Sequence, residues 1–234
     1  MALYAIGDVH GCARTLDALL RRLADDAGRP LGSEDTLVFV GDYVDRGPDS
    51  PGVLDRMVRL EEDAAAGRGP DAVFLRGNHD QMMLNYADGT GDTELWWMNG
   101  GRSTLIAYEA RGDLRLPTEH LDFLRRTPLV AERDGFAFVH AGFDPCLSVA
   151  DNIADPDPSV ALWTRDHLQA DLSAWEMPVV CGHTPVPTPI NLPQLIGIDT
   201  GAVYVDRIGL GRLTAVALPE RRFLSVHTAD EERR

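Results

Sequence analysis

Cysteine is scarce in this 234-residue chain: Cys12, Cys146 and Cys181 are odd in number and far apart. They form neither a CxxC pair nor a disulfide framework, which points to a reducing compartment, with the cytoplasm the expected location. Positive charge is also in short supply. Arg and Lys total 22 against 37 Asp and Glu, a net charge of −15. A surface that acidic repels phosphate backbones and anionic lipid, so neither nucleic acid nor membrane is an expected partner. An anionic substrate would need a local positive site, either clustered Arg or bound metal. No apolar run approaches the roughly 18 residues of a membrane span. The N-terminus, MALYAIGDVHG, lacks a basic leader and its apolar run stops at Asp8, so it reads as a first strand and not a signal peptide. Repeats and low-complexity tracts are absent, and the charged tail Ala229–Arg234 is expected to fray. Nothing here sets the oligomeric state.

The hydrophobic fraction of 44% suffices for a sizeable core, and the length suits one domain with a modest insertion, 1–234. Short apolar runs recur and end in polar clusters: Leu3–Ile6, Thr36–Val40, Ala72–Leu75, Phe136–Val139 and Val179–Val180. Their length and content are those of buried strands. Leu16, Leu19, Leu20, Leu23 and Ala27 share one helical face, stopped by Gly28 and Pro30. Val53, Leu54, Met57, Val58 and Leu60 predict a second helix, entered through Pro48–Pro51 and ended by Gly67. The chain therefore starts as α/β. After Ile190, the runs Leu195–Ile198, Ala202–Val205, Leu213–Leu218 and Arg222–Val226 predict an antiparallel meander. The stretch from about 85 to 128, with Trp96-Trp97, Gly100-Gly101 and the amphipathic His120–Arg126, reads as a helical insertion over the strand ends. Asp155–Pro158 and Pro185–Pro189 read as loops.

Asp8, His10, Asp42, Asn78, His79, His140 and His183 each sit just past an apolar run, in clusters that contain Gly. If those runs are neighbouring strands, their C-terminal ends converge where open α/β folds bind ligands. One Gly-Asp-x-His turn is ordinary structure, and so is one His at a strand end; five such clusters in one chain are not. Carboxylate, imidazole and one amide oxygen without Cys suit Mn²⁺, Fe or Zn²⁺. Three oxygen donors and three imidazoles exceed the needs of one open catalytic ion and suit two ions sharing a bridging carboxylate, the arrangement that clamps a phosphoryl displacement.

The ordered set GDVHG (Gly7–Gly11), GDYVDRG (Gly41–Gly47), RGNHD (Arg76–Asp80), HAG (His140–Gly142) and GH (Gly182-His183) resembles the PPP-type serine/threonine phosphatases of the calcineurin-like metallophosphoesterase superfamily, over about Leu3 to Thr200. The resemblance implies an α/β fold, a four-layer α-β-β-α sandwich of two mixed sheets, with two divalent metals at the strand ends, Mn²⁺ being expected and Fe or Zn²⁺ the alternatives. It implies that Asp8 and His10 hold the first metal, that Asp42 bridges, and that Asn78, His140 and His183 complete the second. It makes His79 the general acid, held by Asp45, and places Arg46 and Arg76 on the phosphate. Leu162-Trp163-Thr164-Arg165 resembles the family's bacterial Leu-Trp-x-Arg element, which adds Arg165 to the phosphate grip. Arg165 could instead pair with Asp166, and Asp45 could merely pair with Arg46. Trp96 and Trp97 read as packing for the insertion. The sequence departs from the family in Asp80, where Glu is frequent, and in the stretched turn Val205–Gly211. Gly100–Thr104 faintly echoes a phosphate loop but lacks its Lys and spacing.

The leading expectation is a metal-dependent protein serine/threonine phosphatase acting on phosphorylated protein or small phosphoesters. A dinucleoside polyphosphate hydrolase is the alternative. The symmetrical hydrolases of that kind carry a longer insertion between HAG and GH than the 40 residues Phe143–Gly182 found here. A non-catalytic metal scaffold is the remote third reading, for which a general acid would have no use.

Overall fold

Burial on both faces explains why the strands read as unbroken apolar runs. In the computed structural model, which describes residues 1–230, β1 (Leu3–Ile6) turns Leu3 and Ala5 to one face and Tyr4 and Ile6 to the other, all buried. The same alternation runs through β2 (Thr36–Phe39), β5 (Phe136–Val139) and β6 (Val179–Cys181). With β3 (Asp71–Phe74), β9 (Arg212–Leu218) and β10 (Arg222–His227), β1 and β2 build one mixed sheet, ordered β10-β9-β1-β2-β3. With β4 (Val130–Arg133), β7 (Ile190–Asn191) and β8 (Leu195–Gly197), β5 and β6 build the second, ordered β4-β5-β6-β8-β7.

The sheets pack face to face through Leu3, Ala5, Val38, Phe136, Phe138, Val180 and Ile196. The outer face of the first sheet is covered by α1 (Ala13–Ala27) and α2 (Ser50–Ala65), joined by α6 (Thr118–Arg126). The outer face of the second packs on α7 (Val149–Ala154) and α8 (Pro158–Trp163). The expected four layers are all present. Leu16, Leu19 and Leu23 of α1 are fully buried, each contributing roughly 1.5–3 kcal/mol of transfer free energy. Gly28, at φ 70°, ends that helix in the left-handed region as the sequence suggests.

Three expectations are corrected. The C-terminal strands do not form one meander. β7 and β8 pair in the second sheet and β9 and β10 in the first, and the chain crosses between sheets. Ala202–Val205 is a turn and not a strand. Asp199 Oδ1 accepts the Gly201 N–H at 2.8 Å, Gly201 adopts φ 66°, and Tyr204 N–H returns to the Gly201 carbonyl. Pro158 is the first residue of α8 and not part of a loop, a position where its missing N–H costs nothing.

The tail is tied down as far as it is described. The Asp230 carboxylate accepts the N–H groups of Arg14 and Thr15 and the Thr15 hydroxyl, at 3.1, 2.8 and 2.6 Å. A residue some 215 positions away thus supplies the N-terminal cap that α1 lacks locally. The rest of the tail expected to fray, 231–234, lies outside the described residues. The insertion is helical, as expected: α3 (Asn78–Ala87), α4 (Thr93–Trp96), a π turn (Trp97–Gly101), α5 (Arg102–Arg111) and α6. Its middle reaches the end of β2, while Phe123 of α6 packs edge-on to Phe74 and Tyr43. No helix among the described residues is long and apolar enough to cross a membrane.

Candidate metal centre

The register of β1 on β2, Ile6 opposite Phe39, brings the two strand ends level, and their loops are zipped together. The N–H groups of Val9 and His10 both donate to the Asp42 carbonyl, and Gly11 N–H to that of Tyr43. The seven residues singled out beyond the strands gather here. His10, Asp42, Asp45, Arg46 and His183 all have φ between 44° and 72°. Left-handed backbone at non-glycine residues costs on the order of 1–3 kcal/mol each and clusters at functional sites. Two motif glycines are needed for close approach: a Cβ on Gly77 would lie 2.1 Å from Asp42 Oδ1, and one on Gly182 2.0 Å from Asp8 Oδ1.

Asp42 is shared by two groups of potential ligands. One ring nitrogen of each of His10 and His79 lies within 4.8 Å of it, as do those of His140 and His183 on the other side, and all five residues are buried or nearly so. Asn78 belongs with the second group, its Oδ1 lying 2.9 Å from His140 Nε2 and 3.1 Å from His183 Nδ1. Asp8 stands slightly apart, its two oxygens accepting the backbone N–H of His183 at 3.2 and 3.0 Å.

The tautomers follow from the backbone. His10 Nδ1 lies 2.8 Å from the Val44 carbonyl and His140 Nδ1 2.9 Å from that of Val40. A carbonyl only accepts, so each Nδ1 carries the proton and each Nε2 turns a lone pair inward. Burial, then the Arg46 charge, holds His10 well below the usual imidazole range. Burial likewise lowers His140, and burial together with His140 brings His183 down to about 3. Burial disfavours the Asp42 carboxylate, but the surrounding imidazoles outweigh it and keep Asp42 ionised. Burial raises Asp8 strongly, with Asp199 adding to it, and raises Asp199 to about 7.

This donor set fits divalent cations. His10 and His140 are oriented by backbone carbonyls, the carboxylates are crowded and desolvated, and His183 Nε2 is buried without a partner. His140 Nε2 and Asn78 Oδ1 face each other as two acceptors, a contact that a cation between them would resolve.

Beside the ligand groups lies a buried pair. His79 Nδ1 is 2.7 Å from Asp45 Oδ2, while the His79 N–H donates to Asp42 Oδ1 at 2.9 Å. Asp45 therefore pairs with His79 and not with Arg46. Arg46 Nη1 instead lies 2.5 Å from His10 Nε2, and its guanidinium stands 5.6 Å from the Tyr204 ring. The Arg165 side chain is exposed, has no hydrogen-bond or ion-pair partner among the described residues, and lies close enough to His183 to depress its pKa. The pairing of Arg165 with Asp166 is not formed.

Arg76 is turned away from the centre. Its Nε donates to the Thr127 hydroxyl, Nη1 to Gln81, and Nη2 to the carbonyls of Leu124, Arg125 and Thr127. It closes the C-terminus of α6 and does not meet the expectation of a phosphate ligand, because the Thr127 hydroxyl, Gln81 and the carbonyls at the end of α6 each engage one of its three nitrogens.

Four residues near the centre carry roles that the sequence did not reveal. Asp80 braces the Asp42 loop through backbone N–H groups; its place three residues after Gly77, at the third helical position of α3, was a local signal. Trp96 and Thr104 both bond Asp45, and Trp163 stands edge-on to the His183 ring at 6.1 Å. None of these three has a local signal, since their partners are remote in sequence.

Comparison with known proteins agrees with this geometry. The profile described as calcineurin-like phosphoesterase matches residues 1–207. A symmetrical bis(5'-nucleosyl)-tetraphosphatase of Janthinobacterium sp. (strain Marseille) is 29% identical, over 97% of this chain and 96% of its own. Serine/threonine-protein phosphatase 1 of Salmonella typhimurium is 31% identical, over 90% and 91%. The crystal structure of a putative diadenosine tetraphosphatase superposes with a TM-score of 0.65 at 26% identity, over 98% of this chain and 95% of that one. The chain belongs to the calcineurin-like phosphoesterases, a family of hydrolases that act on phosphoester bonds at a dinuclear metal site.

Proposed function

We propose that this protein is a phosphomonoesterase dependent on two divalent cations, with phosphorylated serine and threonine side chains as its substrate class. The observation that carries the reading is the buried His79–Asp45 pair at the edge of two groups of buried histidines that share Asp42, one of which includes His79. Asp8 and His10 would hold one cation, Asn78, His140 and His183 the other, and Asp42 both. Mn²⁺ is the expected ion, with Fe or Zn²⁺ as alternatives. When bound, two such ions lower the pKa of water and offset the charge of the phosphate.

The chain's own residues supply the rest. Asp45 accepts the Nδ1–H of His79 and fixes the aim of its ring, so that the doubly protonated imidazole would pass its Nε2 proton to the leaving oxygen. Arg46, released from His10, and Arg165 would bind phosphate oxygens through charge-assisted hydrogen bonds. Asp42 and the imidazoles around it are buried, which strengthens every electrostatic interaction among them.

Dinucleoside polyphosphate hydrolysis is the second reading. It is favoured by aromatic rings at the rim: Trp163, 43% exposed beside His183, and Tyr204, with Arg207 over its ring at 4.1 Å. Such rings stack bases. The decisive experiment strips the purified protein with a chelator and restores Mn²⁺, Fe²⁺ or Zn²⁺. Each form is assayed on phosphoserine and phosphothreonine peptides, p-nitrophenyl phosphate and diadenosine tetraphosphate. Cation-dependent turnover with the highest kcat/KM on phosphopeptides supports the proposal. A higher kcat/KM on diadenosine tetraphosphate moves the assignment to the second reading, and no turnover on any substrate overturns both.

A further inference from the structure

The insertion carries two features that the proposed mechanism leaves unused, the Trp96-Trp97 pair and the run Gly100–Thr104. We infer that Trp96 and Thr104 are positioning residues for the general acid: they clamp Asp45, and through it the ring of His79. The inference rests on the reading of His79 as the acid.

Asp45 is wholly buried and held at φ 72°. Its Oδ2 accepts both the Nδ1 proton of His79, at 2.7 Å, and the indole N–H of Trp96, at 2.8 Å. Its Oδ1 accepts the Thr104 hydroxyl at 2.8 Å. The same Thr104 oxygen accepts the Asp45 backbone N–H at 2.9 Å, and Ser50 Oγ accepts it at 3.1 Å. Because the single hydroxyl proton of Thr104 goes to Asp45, Ser50 donates across the 3.0 Å that separates the two hydroxyls. The aspartate is therefore gripped at its backbone and at both carboxylate oxygens, and two of its partners come from the insertion, more than 50 residues away.

The clamp is itself rigid. The Trp96 ring packs 4.6 Å from Tyr86, and a Cβ on Gly101 would lie 2.4 Å from Trp96 ring atoms. Gly100, at φ 112°, turns its carbonyl to accept the Arg46 N–H at 3.2 Å. The Gly-Gly pair thus serves close packing and a turn, not phosphate. A carboxylate bonded only to an imidazole is free to rotate. Donors on its other lone pairs fix its plane, and so the tautomer and aim of the ring.

Trp96→Phe keeps the ring and removes the N–H, and Thr104→Val keeps the shape and removes the hydroxyl. Both are assayed on a phosphoserine peptide, whose leaving oxygen needs a proton, and on p-nitrophenyl phosphate, whose leaving group needs little. They are made in the wild type and in a His79→Asn background. Each is expected to lower kcat on the peptide roughly tenfold, the effect of one hydrogen bond to a charged group. KM and cation content should hold, with a clearly smaller loss on the nitrophenyl ester. In the His79→Asn background neither substitution should lower kcat further. Equal losses on both substrates, or the same fold-loss in both backgrounds, would mean that the two residues are structural only. Should Trp96→Phe fail to fold, Thr104→Val carries the test alone. If His79→Asn discriminates between the substrates and the clamp variants do not, the clamp fails and the acid stands. If His79→Asn itself does not discriminate, the acid reading fails and takes the clamp with it.

Discussion

Asp80 Oδ2 accepts the backbone N–H of Asp42 at 2.9 Å. The same oxygen accepts the N–H of Gly77, and Oδ1 that of Tyr43. The acidic residue next to His79 therefore faces the backbone, not the substrate, and ties the loop after β2 to the start of α3. Burial and the Asp42 charge push its carboxyl up to about 7, against three N–H groups that stabilise the ionised form. The place is the third helical position, where a capping box requires an acceptor. That physical requirement is met here by Asp.

Asp80→Ala strands three buried N–H groups at the point where Asp42 is held. An unsatisfied buried donor costs about 1–3 kcal/mol, and neighbouring losses do not add fully, so about 2–4 kcal/mol of unfolding free energy should be lost. Urea denaturation measures it, and elemental analysis should show reduced cation content in the same variant. A loss below about 1 kcal/mol would show that the loop holds itself.

Arg76→Ala should act on stability and not on substrate. Its removal takes the Arg76 donor from the Arg125 and Thr127 carbonyls, while Leu124 keeps the Thr127 hydroxyl, and the expected loss is about 1–3 kcal/mol. KM for phosphoesters should stay at the wild-type value. A raised KM with unchanged thermal stability would return Arg76 to the phosphate.

The sequence is most informative where function and strand ends coincide. Asp8, Asp42, His140 and His183 lie one to three residues past buried strands, so finding the strands locates them. Side chains that cross between elements are illegible for the opposite reason. Which of Arg76 and Arg165 is left unpaired beside the centre depends on where α6 ends, and no periodicity reports that. Trp96 reads as packing from its neighbours alone, because its bond partner Asp45 is 51 positions away. Ala202–Val205 has strand-like residues but follows a side-chain turn at Asp199 that overrides them.

Asp35 gives the fold a defined acid sensitivity away from the centre. It accepts two bonds from the Arg29 guanidinium and the N–H groups of Ala2 and Gly32, tying the start of β1 to the turn before β2. The Arg29 bonds chiefly lower its carboxyl to about 2. A depressed folded-state pKa stabilises above the unfolded value and is lost as pH falls through the folded one. A shift of this size corresponds to roughly 2 kcal/mol near neutral pH, of which about half is gone at pH 3. Urea unfolding at pH 6 and pH 3 should show the gap between wild type and Asp35→Asn narrowing by about 1 kcal/mol. A gap that does not change would mean that Asp35 titrates alike in the folded and unfolded states.

Arg165→Ala tests whether the unpaired cation beside the centre serves the substrate. Arg165 lies close enough to His183 to depress its pKa, yet among the described residues its side chain has no hydrogen-bond or ion-pair partner. An exposed arginine without a partner at the edge of a ligand cluster is placed to meet an incoming anion. A hydrogen bond between charged groups is worth about 1.5–3 kcal/mol, and exposure screens part of it, so KM for phosphomonoesters should rise roughly tenfold. Folding and cation content should be unchanged, because no protein group loses a bond. Arg165→Lys should recover only part of the affinity, since a point charge cannot reproduce the planar fork that grips two oxygens. The wild-type KM should also rise with added salt more steeply than that of the Ala variant, as one charge has been removed from the encounter. Unchanged KM in Arg165→Ala, with parallel salt dependences, would remove Arg165 from the site and leave Arg46 as the phosphate-binding arginine.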